Sequence, residues 1–150
     1  MRAKLLMSVS LPGLLIGLMA TTTPAPARTI GEILAESCPK AVEADQRQAR
    51  AHDLADDSQY GLAKEAAALY YDCYRTLSDP YARDWAHEFY LTDLSLSAQT
   101  SEQMIDVLNV VISGSNNLAA STHFDDVRAA AIKVRDSSRA LLRRLTGNPQ

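Results

Sequence analysis

Cysteine, histidine and glycine are all scarce in this chain, with 2, 3 and 6 copies in 150 residues. Each scarcity excludes something. The histidines His52, His87 and His123 never pair at a helical ligand spacing, and no His-Glu-x-x-His or Cys-x-x-Cys run occurs, so no motif-bound metal is expected. Only Gly31 and Gly61 fall between residues 28 and 113, and there is no Asn-Gly hairpin signal or strand-length alternation. β-branched residues are sparse there too, while alanine, leucine, glutamate and glutamine abound, a bias toward helix. Basic charge is not in excess: the chain carries a net −3. A nucleic-acid partner needs a concentrated basic face, so none is expected, nor any general attraction to anionic lipid. No Gly-x-Ser-x-Gly elbow appears, and Ser113-Gly114-Ser115 lacks a phosphate-cradle pattern, so no cofactor is expected.

Long apolar runs are also rare, and the one present is informative. Residues 5–20 hold no charge, follow the cationic Arg2 and Lys4, and lead into a small, proline-containing stretch ending at Ala27. That order is the signature of a secretory leader. The run falls short of the roughly 20 residues a membrane-spanning helix needs, and Pro12 and Gly13 interrupt it. Cleavage after Ala27 is preferred over cleavage after Ala20, and neither site offers a cysteine for a lipid anchor. The expected organisation is therefore a signal peptide over residues 1–27 and a single helical domain over 28–150. The expected location is the periplasm or the outside of the cell, with no membrane attachment once the leader is removed. In that oxidising setting Cys38 and Cys73 read first as a disulfide. Such a bond would contribute about 2–4 kcal/mol.

Periodicity predicts an all-α fold of about five helices. The first spans residues 29–56, opened by a Thr29/Glu32 capping box and kinked or divided by Pro39. Ala41, Ala44 and Ala51, with Leu54 and Ala55, give it a thin apolar face. The second, 58–77, carries Leu62, Ala66, Leu69, Tyr70, Cys73 and Leu77 at steps of three and four. Asp79 and Pro80 suit the N-cap and first position of the third, 80–98, whose apolar face holds Ala82, Trp85, Ala86, Phe89 and Tyr90. Thr100 or Ser101 caps the fourth, with Met104, Ile105, Leu108, Val111 and Ile112 as its stripe. Ser113 to Asn117 reads as a flexible connection. The fifth runs from His123 or Asp125 to Leu145, with Val127, Ala131, Val134, Ser138, Leu141 and Leu145 as its seam and Gly147 as its stop. Short loops between such helices imply an antiparallel bundle or a short array of helical hairpins.

Gly61, Ala66, Tyr70 and Cys73, followed by Pro80, resemble the second helix of a tetratricopeptide repeat, and Trp85 and Phe89 would open the next repeat. Ala63 departs from the family's usual aromatic, Pro80 comes late, and no repeat-length self-similarity is visible. The resemblance implies a groove that binds a peptide or protein. The chain is also loosely similar to exported four-helix inhibitors of the plant invertase-inhibitor type, without their N-terminal cysteine pair.

Five of the six tyrosines fall between Tyr60 and Tyr81, with Trp85, Phe89 and Tyr90 close behind. Tyr71, Tyr74, Tyr81 and Trp85 are the candidate partner-binding surface, because aromatic rings with a polar handle suit interfaces. The competing reading wraps them around the core's edge between the second and third helices. Asp84, His87 and Glu88 share a helical neighbourhood and are the candidates for a metal-dependent or hydrolytic enzyme, set against a solvated polar face. His52 with Asp53, Asp56 and Asp57, and the Arg135, Arg139, Arg143 ladder, read as solvated faces. The expected function is an exported interaction module for a protein or peptide. The alternatives are the enzyme and a helical inhibitor of a secreted enzyme.

Overall fold

The structure is a computed structural model that describes residues 27–147. The leader expected over residues 1–27 thus lies outside the described residues, Ala27 excepted. Among the described residues every regular element is helical: α1 (Ile30–Ser37), α2 (Pro39–Asp53), α3 (Ser58–Thr76), α4 (Pro80–Leu96), α5 (Ser101–Ser121) and α6 (Asp125–Thr146). None of these helices is long and apolar enough to cross a membrane.

The count is six, not five, because Pro39 divides the first helical region. Cys38 leaves helical backbone (φ −132°, ψ 54°), ending α1 and preceding α2, and Pro39 takes the first helical position, where a missing N–H costs nothing. The other starts follow their side chains. Thr29 and Thr100 both close capping boxes, with Glu32 and Gln103, and Asp79 accepts from the Ala82 N–H at 2.8 Å. Gly147 ends α6 in the left-handed region at φ 65°, which a residue without Cβ adopts freely.

Two expectations fail. Ser113 to Asn117 is not a connection but the middle of α5. Its small residues serve close helix approach: Ser115 is fully buried, and a Cβ on Gly114 would lie 2.6 Å from Leu91 Cδ2 on α4. Leu54 does not extend the face of α2. The helix stops at Asp53, Ala55 takes a positive φ of 52°, and Leu54 is left 80% exposed.

Consecutive helices pack most extensively as α2 on α3, α3 on α4 and α5 on α6, while α4 also touches α1, α5 and α6. Leu34, Cys38, Ala41, Tyr70 and Ala86 form one core cluster; Leu91, Val111, Leu118, Val127 and Ala131 form a second. Cys38 and Cys73 are disulfide-bonded, with Cα atoms 5.9 Å apart, so the α1–α2 corner is tied to α3 beside the first cluster.

Candidate functional site

Successive residues on a helix point about 100° apart, so the tyrosines of α3 separate. Tyr70 turns inward, 1% exposed, with its ring centroid 5.4 Å from that of Phe89. Its hydroxyl is held well above the usual tyrosine range by burial and by the Asp45, Asp93 and Glu88 carboxyls. Tyr71 stays exposed, and with Tyr74, half-buried against the first core cluster, it builds a wall with two residues of α4. Tyr71 meets Tyr74 edge-on at 5.4 Å and Tyr90 at 5.3 Å. His87 stacks on Tyr74 at 4.4 Å with planes 11° apart. Burial lowers the His87 pKa against the pull of Asp84, so the stacked imidazole is neutral at pH 7. The Arg75 guanidinium lies 5.1 Å over the Tyr71 ring.

This wall faces α5 across a groove of about 470 Å³. The α5 side supplies Asn109, Val110, Ser113, Gly114 and Asn117, with Leu91 between the two sides. No aspartate, glutamate, lysine or arginine lines it. Two of the exposed large hydrophobics stand here, Tyr71 at 37% and Val110 at 53% exposure. The groove is thus apolar and aromatic, edged by hydroxyls and amides, a composition suited to ligand burial.

The four candidate contact residues do not share one surface. Tyr71 and Tyr74 line the groove; Tyr81 and Trp85 pack elsewhere, against the second core cluster. Tyr81 stacks edge-on with Phe124 at 4.9 Å and donates its hydroxyl to Asp126 Oδ2 at 2.6 Å. That bond raises the tyrosine pKa and lowers that of the aspartate. Trp85 packs against both core clusters with its indole nitrogen buried, which places the residue in the packing rather than on a contact face.

Asp84, His87 and Glu88 also diverge. Asp84 accepts from Thr122 Oγ1 at 2.8 Å, latching α4 to the α5–α6 turn. His87 joins the aromatic wall. Glu88 is buried at 7% exposure, accepts from Thr92 Oγ1 at 3.0 Å, and lines a second cavity, of about 370 Å³, with Lys133, Ser137 and Ser138. Burial raises its pKa. Among the described residues no three histidine, cysteine or acidic side chains group as a metal site.

A feature that periodicity overlooked lies inside. Asp93 is 1% exposed, its Oδ2 has no hydrogen-bond partner, and its carboxyl sits against that of Asp45 from α2. Burial, then the Asp45 charge, raises the Asp93 pKa well above the carboxylate range, and burial raises that of Asp45. The acids near His52 stay exposed: His52 Nδ1 meets Gln59 Oε1 at 2.8 Å, and Asp56 Oδ1 accepts from the Ser58 N–H at 2.8 Å. Arg135 and Arg139 pair with Asp136.

Sequence reasoning missed Tyr90, Asn109, Val110 and Asn117 as groove residues. The available signal was Val110, an apolar residue standing off the Leu108–Val111 stripe. Comparison with protein-family models, with curated proteins and with solved structures gives no match for this chain.

Proposed function

We propose that the chain is an exported, non-enzymatic interaction module that takes a peptide or protein segment in the groove between Tyr71, Tyr74 and α5. The observation that carries the reading is the concentration of exposed apolar and aromatic surface in one concavity. Export rests on the leader pattern of residues 1–27, and the Cys38–Cys73 disulfide suits an oxidising compartment, periplasmic or extracellular. The pairwise packing of consecutive helices supports a helical-hairpin array of the tetratricopeptide-like kind, with the groove on one of its faces. No observation favours the enzyme reading, since Asp84, His87 and Glu88 make separate contacts.

The test is capture from the native exported compartment by wild type and by Tyr71→Ala, read by mass spectrometry. Tyr71 is a surface side chain, so the variant keeps its helical circular dichroism and its melting temperature to within a few degrees. The partner recovered by wild type should be lost or reduced at least about tenfold, the effect of removing an aromatic hot spot. Equal recovery by the two proteins rejects the groove as the contact surface.

A further inference from the structure

The second cavity, of about 370 Å³, lies between α4 and α6, away from the tyrosine wall. Two side chains in its lining are more than nine-tenths buried, Glu88 at 7% and Ser138 at 4% exposure. Each keeps a polar atom unpaired. Glu88 Oε1 accepts from the Thr92 hydroxyl, while Oε2 has no hydrogen-bond partner among the described residues, and neither has Ser138 Oγ. The unpartnered side-chain atoms that are sealed from solvent belong to Trp85, Asp93 and Ser115. Glu88 Oε2 and Ser138 Oγ are therefore open to the cavity that they line. Ser138 also breaks the seam of α6, where Val127, Ala131, Val134, Leu141 and Leu145 hold the other steps. Buried polar groups are normally satisfied by the protein or by something bound.

The lining carries one acid and one base. Lys133 is exposed, and neither it nor Glu88 forms an ion pair among the described residues. Burial raises the Glu88 pKa against the Thr92 bond and the Lys133 charge, so the carboxylate is under-compensated by its surroundings. An ammonium on a ligand would supply the missing charge at Oε2.

The same lining narrows the class of occupant. An anion would be repelled by Glu88 and a simple cation by Lys133. Glu88 is the sole carboxylate present, too few oxygen ligands for a divalent metal. No aromatic ring lines the cavity, so a sugar finds no stacking face. A zwitterion satisfies both charges at once. Ala130 and Val134 supply the apolar part of the lining, and the volume lies at the small end of the roughly 300–1,000 Å³ of ligand pockets.

We infer that the α4–α6 cavity binds a free amino acid with a small aliphatic side chain. Its ammonium donates to Glu88 Oε2 and Ser138 Oγ, its carboxylate accepts from Lys133 Nζ and the Ser137 hydroxyl, and its side chain lies against Ala130 and Val134. The site is separate from the Tyr71 groove and does not depend on the interaction-module reading.

The experiment titrates the disulfide-bonded protein by calorimetry with alanine, valine and leucine, and with N-acetylvaline, valinamide and isobutylamine. The expected result is binding of the free amino acids, weakened at least about tenfold by capping either end, the effect of losing a charge-assisted hydrogen bond. Glu88→Gln keeps the side-chain shape and an acceptor for Thr92, and should weaken valine binding by a similar factor. Lys133→Gln lies at an exposed position, so its helical spectrum is unchanged even where Glu88→Gln fails to fold. It should weaken valine binding at least about tenfold while tightening that of isobutylamine, because a like charge has gone. Equal binding of valine and N-acetylvaline removes Glu88 from the site and overturns the proposal. Isobutylamine bound as tightly as valine means a plain cation site and overturns the zwitterion. No binding of any probe at millimolar concentration means that water alone meets the two open polar atoms, and overturns the site.

Discussion

Asp93 sits where a charged group is least welcome. It is buried beside Asp45, with one oxygen unpartnered, so the folded protein holds at least one of the two carboxyls protonated. Unfolded, both ionise above about pH 4. The folded state thus binds more protons than the unfolded state as pH rises past that value, and stability falls with increasing pH. The contribution is complete at acid pH and is lost as pH climbs toward the raised folded-state value. We expect a higher melting temperature at pH 5 than at pH 8, with the smaller, opposite contribution of the lowered His87 pKa offsetting only part of the difference. Asp93→Asn should flatten that difference and stabilise the protein at pH 8 by about 1–3 kcal/mol, because the amide buries no ionisable group. Chemical denaturation at the two pH values reads both effects, and a wild-type profile rising from pH 5 to 8 would reject the account. The sequence held a clue to this residue. Ala82, Ala86, Phe89 and Asp93 step by four, three and four, so Asp93 falls on the apolar stripe of α4. Gln48 and Ser115 lie on the stripes of α2 and α5 in the same way, and both are buried. A reading that weighs only apolar residues assigns such groups to solvent, because the cost of burying them is visible only once neighbouring helices are in place.

At the scale of elements, one helix contact depends on the absence of a side chain, that of α4 on α5. Gly114 is the reason, with Leu91 filling the space a Cβ would need. Gly114→Ala gains about 1 kcal/mol in helix propensity. Against that, Leu91 is 1% exposed and has little room to retreat, so overpacking of about 1–3 kcal/mol outweighs the gain. A net loss of stability in urea is expected, accompanied by weaker ligand binding as the groove walls part; a stabilised variant would show that α5 slides freely. The helix starts were largely legible, because capping boxes and Asp-Pro steps are local chemistry. The Ser113–Asn117 run was misread for a physical reason. Small polar residues signal a loop when a helix must stand alone, yet between two packed helices their lack of bulk is what permits contact.

Over the whole molecule, α4 holds the assembly together by touching α1, α3, α5 and α6. The Tyr81–Asp126 and Asp84–Thr122 bonds tie its first turns to the α5–α6 turn and the start of α6, while His87 and Tyr90 give its other side to the groove. Half of the candidate surface, Tyr71 and Tyr74, was legible as surplus aromatics beside an inward stripe. Tyr81 and Trp85 were not separable from them, since sequence neighbours on successive helices diverge only through the packing. The disulfide was legible from the leader pattern and the even cysteine count, and its position has a mechanical consequence. It spans 35 positions and encloses all of α2 and most of α3 in a covalent loop. A force applied between the chain ends passes through the sulfur atoms and bypasses that loop. Stretched to full length under oxidising conditions, the chain should come up about 110–120 Å short of its reduced form, at roughly 3.3–3.6 Å per sequestered residue. Single-molecule pulling before and after reduction measures that difference. The groove's tyrosines sit at the loop's edge, so an oxidised molecule under tension keeps α2 and the first turns of α3 slack while α4 to α6 are drawn out.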